Sequence, residues 1–197
     1  MLAHLRANAL LLVSTVAIGS VAYPAVLLGV ARLAPTTATG SFVLGTGGAP
    51  VGSRLIAQEF KGDEWFHPRP SAVGYNAGGS GGSNFGANNP KLRERVVEDL
   101  KAYPGATALP ADAVTTSGSG LDPHLTLRSA RAQLNRVAAA FAAKTGGDAA
   151  ATRAKLDGVL QANAFTPMAG LLGGEPLVNV LEVNRAALAL TGPAPLR

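Results

Sequence analysis

The stretch "ANALLLVSTVAIGSVAYPAVLLGVA", Ala7 to Ala31, decides what kind of protein this is, because its 25 residues carry no charge. At a helical rise of 1.5 Å per residue, about 20 apolar residues cross a hydrocarbon core of roughly 30 Å. A cleaved signal peptide is the alternative, and three features count against it. The run is longer than an ordinary signal core, Pro24 interrupts it, and Pro35 directly follows Ala34, the best small residue for cleavage. The stretch therefore predicts an uncleaved membrane anchor. Pro24 removes one helical hydrogen bond and predicts a kink, while Gly19, Ser20 and Ala22 allow close approach of a partner helix. The α-amino group, His4 and Arg6 precede the run. After it comes Arg32, and then no charge until Arg54, a bias that predicts the N-terminus inside and the domain outside.

The bulk composition narrows the rest. Of 197 residues, 47% are hydrophobic and 15% charged, too apolar for a disordered chain. The formal net charge of +5 is scattered, without the dense basic runs interleaved with aromatics that nucleic acid would need. The absence of cysteine excludes disulfides, thiolate metal sites and cysteine nucleophiles.

Beyond the anchor, residues 32–52 read as an extended lead-in with one short strand around Ser41–Leu44, and 53–197 as the main domain. "SRLIAQEF", Ser53–Phe60, fits a short helix or a strand. From His67 to Pro90 the chain is dominated by Gly, Ser and Asn, and it ends in Asn89-Pro90, an N-cap followed by proline at the first helical position. The helix that follows places Leu92, Val96 and Leu100 on one face. "ADAVTTSGSGLDPH" predicts a short strand running into a loop. Thr126 caps one amphipathic helix reaching Gly146. Its buried stripe is Leu127, Ala130, Leu134, Val137, Ala138 and Phe141, with Arg128, Arg131 and Arg136 pointing away. Asp148 caps another helix to about Asn163, and "EPLVNVLEVNRAALAL" is a strand or helix completing the core. No internal repeat is visible. The mixed order predicts a single N-terminal transmembrane helix plus an α+β domain, a small sheet covered by helices.

Catalytic motifs fail on context. Gly78-Gly79-Ser80-Gly81-Gly82 fits the spacing of a hydrolase nucleophile elbow, but neither an apolar strand before it nor a helix directly after it is present. Ser119, Asp122 and His124 are neighbours in sequence only, which is not triad geometry. His67 and His124 lack a second metal ligand at helical or hairpin spacing. "AKTGG", Ala143–Gly147, has Ala where the phosphorylated Asp of a P-type ATPase would stand. The chain reads as a partner of an enzyme, with no catalytic residue, metal or cofactor of its own.

Several segments in order, "VGSRLIAQEF", "WFHPRPSAVGYN", "SGGSNFGANNPKL", "LPADAVTTSGSGLDPH" with "AQLNRVA", and "GGEPLVNVLEVN", resemble the C subunit of the bacterial Kdp-type potassium-transporting ATPase. The resemblance covers nearly the whole chain, including the Tyr23-Pro24 pair. Arg185, in "EVNRAALAL", departs from the family's usual apolar continuation. The resemblance implies a non-catalytic, single-pass subunit of the bacterial inner membrane, with residues 1–6 cytoplasmic, 7–31 spanning, and the domain extracytoplasmic. Its implied partners are a channel-like potassium-translocating subunit, a P-type ATP-hydrolysing subunit and a small single-span peptide subunit, and the complex handles ATP and potassium. Two roles go with the family: assembly, and a catalytic chaperone that raises the ATP affinity of the hydrolysing subunit. In the second, Ser80, Gly81, Gly82, Ser83 and Asn84 form a nucleotide-linked loop, since Ser80–Ser83 looks like part of the ABC-transporter signature. Within the resembling motifs, His67, Arg69 and Asp122 are interface candidates, as are Gly19, Ser20, Tyr23 and Pro24 in the membrane helix. A Gly-rich backbone can offer N–H groups to phosphate. With the domain outside, however, residues 1–6 are too few to reach a nucleotide, so the expectation is an interface loop with any nucleotide effect transmitted indirectly. A free-standing anchored solute-binding domain is the alternative reading.

Overall fold

The computed structural model describes residues 1–45, 47–171 and 173–190. The backbone divides into two compact units, residues 1–42 and residues 43 onward.

The first unit is the apolar helix. It runs from Leu2 to Ala31 and is the one helix among the described residues long and apolar enough to cross a membrane. Its parts are α1 (Leu2–Val16), a π-helical turn (Ala17–Ala22) and α2 (Tyr23–Ala31). The π turn is the local answer to Pro24. The proline ring cannot sit under the carbonyl four residues back, and one wide turn before it relieves that clash. The Tyr23 N–H accordingly bonds to Ile18, five residues back. A single helical turn, α3 (Pro35–Ala38), follows.

The second unit opens with a two-stranded hairpin, β1 (Phe42–Leu44) and β2 (Pro50–Ser53). Residues 54–89 carry no helix or strand and lead into α4 (Pro90–Leu100), whose Asn89 cap accepts from the Lys91 N–H as its sequence predicts. No residue of α4 is fully buried, and Leu100 is exposed, contrary to its expected place on a buried face. The helix is instead turned so that Leu92, Arg95, Val96 and Asp99 are the partly covered side. Residues 106–123 are not a strand leading into a loop. They form a single 3-10 turn at Ala111–Ala113 within irregular chain.

The core lies between two strand-to-helix corners. Strand β3 (His124–Thr126) pairs antiparallel with β4 (Leu177–Asn179), with Leu125 opposite Val178. Each strand ends in a capping residue. Thr126 accepts from Ser129 at the start of α5 (Leu127–Ala132), and Asn179 accepts from Glu182 at the start of α8 (Val180–Ala189). The backbone pairing is equally symmetric, since Leu127 N–H donates to Pro176 at 2.8 Å and Val180 N–H to Pro123 at 3.0 Å. Residues 123–127 and 176–180 are thus related by a local pseudo-two-fold. The sequence hides it because the two copies share only a proline, an apolar centre and a capping residue. Phe165 adds a third, bridged position beside Leu177.

Helices α6 (Leu134–Thr145) and α7 (Ala149–Ala162) pack against this centre. All six stripe residues predicted from Leu127 to Phe141 are buried. The expected single helix breaks at Gln133, where the chain tightens into a three-residue hydrogen bond to Ala130. Gly146 ends α6 in the left-handed conformation, and Asp148 caps α7. The fold is α+β as expected, with two separate two-stranded sheets in place of one.

Candidate functional site

The Gly/Ser/Asn stretch is pinned to the core at its start. Phe66 belongs to the same buried core cluster as Leu134, Val137 and Val183, and is 1% exposed. Two buried carboxamides then grip successive residues. Asn184 accepts from Phe66 N–H and donates to Phe66 C=O, both at 2.9 Å. Gln133 accepts from His67 N–H at 2.8 Å and donates to His67 C=O at 2.9 Å. Each amide saturates one residue's N–H and C=O, as a neighbouring strand would, so buried backbone in an irregular segment is left without cost. Arg136, expected to point away, folds over the same segment and donates to Asp63 O, Trp65 O and Gln133 Oε1. The His67 ring sits against Gly62 O at 3.0 Å, and burial followed by the nearby Arg136 charge lowers its pKa.

Further along, residues 69–82 are bound edge to edge with 115–122. Arg69 bridges to Asp122 Oδ2 at 3.3 Å and donates to the carbonyls of Thr115 and Thr116. A side-chain hydrogen bond from His124 is the main cause that holds the Asp122 carboxyl below its ordinary range. Ser71 Oγ donates to Gly120 O at 2.7 Å and accepts from the N–H groups of Val73 and Tyr75. Tyr75, itself at φ 57°, donates its hydroxyl to Arg69 O, and burial pushes its pKa up to about 12. Gly81 N–H and Ser80 Oγ both donate to Ser119 O, at 2.9 and 3.2 Å. The glycine that this contact demands is Gly120. Its φ is +71°, and a Cβ there would lie 2.6 Å from Val73 and 2.9 Å from Gly81 O. Gly82 is not in the left-handed region. It is needed for approach, since its Cβ would meet Gly118 O at 3.2 Å.

The structure therefore brings Ser80, Gly81, Gly82, Arg69 and Asp122 into one assembly and holds His67 apart at the Gln133 clamp. Ser83 and Gly82 border a cleft of about 600 Å³ walled by Tyr75, Phe85, Arg95, Asp99 and Thr116. Asn84 is in the left-handed conformation at φ 53°. Three N–H groups between residues 78 and 81 are already spent, one of them, Gly81, within the Ser80–Asn84 loop. Gly78 donates to Asn76 Oδ1, Gly79 to Asn76 O and Gly81 to Ser119 O. Among the described residues no three His, Cys, Asp or Glu side chains cluster as metal ligands. Gly19, Ser20 and Tyr23 are exposed on the apolar helix and Pro24 is partly covered, all within or just after the π turn. Arg185 pairs with Glu182 on its own helix at 3.0 Å, so a charge at this position is locally accommodated.

Sequence reasoning missed Gln133, Asn184 and Phe66. The signal was present: each amide occupies a position on its helix's buried stripe, where a polar side chain requires a partner.

The fold defines a class first: one apolar helix of membrane-spanning length carrying a small α+β domain whose long loop is stitched into a rigid surface. The family model for KdpC, the c chain of the K+-transporting ATPase, matches residues 4–189. The KdpC subunit of the potassium-transporting ATPase of Rhodopseudomonas palustris (strain CGA009) is 44% identical, covering 99% of this chain and all of that one. That of Caulobacter sp. (strain K31) is 46% identical over 94% of this chain and 93% of its own. That of Geobacter sulfurreducens is 41% identical over 90% and 92%. This chain belongs to the KdpC family.

Proposed function

We propose that this chain is an accessory, non-catalytic subunit of a bacterial potassium-transporting ATPase complex, and that its loop at Ser80–Asn84 is a protein-contact surface and not a nucleotide ligand. Its partners are the potassium-translocating subunit, the ATP-hydrolysing P-type subunit and a small single-span peptide. The helix enters the inner membrane with residues 1–6 in the cytoplasm, and the domain stands outside. ATP and potassium are handled by the complex, and an effect on ATP affinity is transmitted through assembly.

The observation that carries the loop's role is that Gly81 N–H and Ser80 Oγ are already committed to Ser119 O, a protein contact made at the start of the loop. A phosphate drawn to Gly81 N–H would have to displace the bond that ties the loop to Ser119. Displacing a made hydrogen bond with an equivalent one gives little net gain. A rigid, neutral, glycine-lined surface is suited to lie close against another backbone. Calorimetry on the full chain in detergent, titrated with millimolar ATP, tests this. No saturable heat is expected, while Gly82→Ala weakens co-purification of the complex. Saturable binding that Gly82→Ala removes would overturn the reading.

A further inference from the structure

We infer that the outward face of the β1–β2 hairpin is a lipid-contact surface that lies in the headgroup layer of the bilayer; the inference rests on the apolar helix entering that bilayer. Strand β1 is apolar on both faces, whereas a hairpin facing water turns polar side chains outward. Val43 points into the domain and is 3% exposed, yet the outward positions are Phe42 and Leu44, at 57% and 58%. Leu55, just past β2, is 56% exposed, and Ala49 and Pro50 at the turn side are exposed as well. In a two-stranded sheet both strands are edges, and proteins guard such edges with charge. Here no charged residue occurs from Leu33 to Ser53, and no acidic residue precedes Glu59. An apolar, uncharged edge of this kind calls for a cover.

The nature of the cover follows from the chain. Residues 32–41 join the apolar helix to β1, and at about 3.5 Å per residue they reach roughly 35 Å at full stretch. The helical turn Pro35–Ala38 shortens that reach further. The hairpin is thus tethered within that reach of the end of a membrane-length helix. A stretch without acidic side chains suits an anionic surface, which would repel them. Arg54, next to the face, is occupied by Glu182, so apolar insertion rather than charge carries the contact.

The chain has no cysteine, so single-cysteine labels report cleanly. Full-length Leu44→Cys, Leu55→Cys, Val97→Cys and Ile18→Cys variants would carry an environment-sensitive fluorophore. Each would be placed in nanodiscs of phosphatidylcholine and phosphatidylglycerol with nitroxide lipids labelled near the headgroup and, in a parallel set, near the end of the acyl chain. Ile18 reports the helix itself, and Val97 is an exposed domain position. The expected result is headgroup-label quenching at 44 and 55 at least twofold stronger than at 97, with strong quenching at 18 by the acyl-end label. Equal quenching at 44, 55 and 97 with 18 quenched would overturn the hairpin contact alone. Loss of quenching at 18 would overturn the membrane reading together with it. Protection of 44 only when the other subunits are present would assign the face to a protein and overturn the lipid contact.

Discussion

Replacing Asn184 by leucine removes one carboxamide clamp without changing side-chain volume much. Asn184 is 0% exposed, and it satisfies both the N–H and the C=O of Phe66 at 2.9 Å. Leucine leaves both backbone groups buried and unpaired. A buried unsatisfied group costs about 1–3 kcal/mol, so the pair costs about 2–5 kcal/mol, with relaxation of the segment drawing the value toward the lower end. For a domain of this size, 1 kcal/mol moves Tm by about 2–4 °C, so a fall of roughly 5–15 °C is expected. The adjacent Trp65 provides the signal, because its fluorescence follows the segment being released. Unfolding would be followed in detergent on the full chain. A second variant, Gln133→Leu, releases His67 in the same way. Because the two clamps hold neighbouring residues, the double variant is expected to fall short of the sum of the singles. An Asn184→Leu protein melting within about 2 °C of wild type would refute the claim that the amide clamps hold the loop.

Gly120→Ala is expected to destabilise by about 2–4 kcal/mol, from its positive φ and from contact with Val73 and Gly81, whereas Gly79→Ala, with open space around it, stays within about 0.5 kcal/mol; denaturant midpoints compare the two. Asp122 has its pKa lowered in the fold, so its contribution is present above the unfolded carboxylate pKa near 3.9 and is lost as pH falls through the lower folded value. The stability gap between wild type and Asp122→Asn should therefore shrink below about pH 4, as thermal melts across pH would register. Gly19→Leu, within the π turn, should weaken co-purification with the potassium-translocating subunit by blocking close backbone approach; an unchanged complex in mild detergent would leave the helix as an anchor only.

What was legible in the sequence was whatever depends on local chemistry. The uncharged run to Ala31, the caps at Asn89, Thr126 and Asp148, the stop at Gly146 and the stripe from Leu127 to Phe141 each follow from neighbours a few residues apart. What failed depends on distant partners. Leu100 has the right spacing for a buried face, but nothing in its own helix says that Arg95 and Asp99 will take that side. Arg136 reads as a solvated charge until the carbonyls of Asp63 and Trp65, over seventy residues away, claim it. Of the candidate site, the glycine-rich loop was visible as a loop. Which glycine matters was not, because Gly120 lies outside the motif and is forced by the chain that passes it.

The pseudo-two-fold and the clamps are parts of one arrangement. An irregular segment of more than thirty residues cannot supply its own backbone partners, so its entry point must be fixed by side chains from elsewhere. Two strand-to-helix corners pair antiparallel, and one buried amide lies at or beyond the helix of each corner. Gln133 follows α5 and Asn184 lies within α8, so the two corners reach consecutive residues of the same strand-like stretch. The wide spacing of those residues in sequence hides a single requirement: both must be amides, because only a side chain that donates and accepts can close both ends of one peptide residue. An acid at either position would face a carbonyl with a second acceptor, and an aliphatic residue would face both groups with none. The anchoring of the segment that carries Ser80–Asn84 therefore begins more than a dozen residues upstream of it, at Phe66 and His67, and is continued by the contacts of residues 69–82 with 115–122.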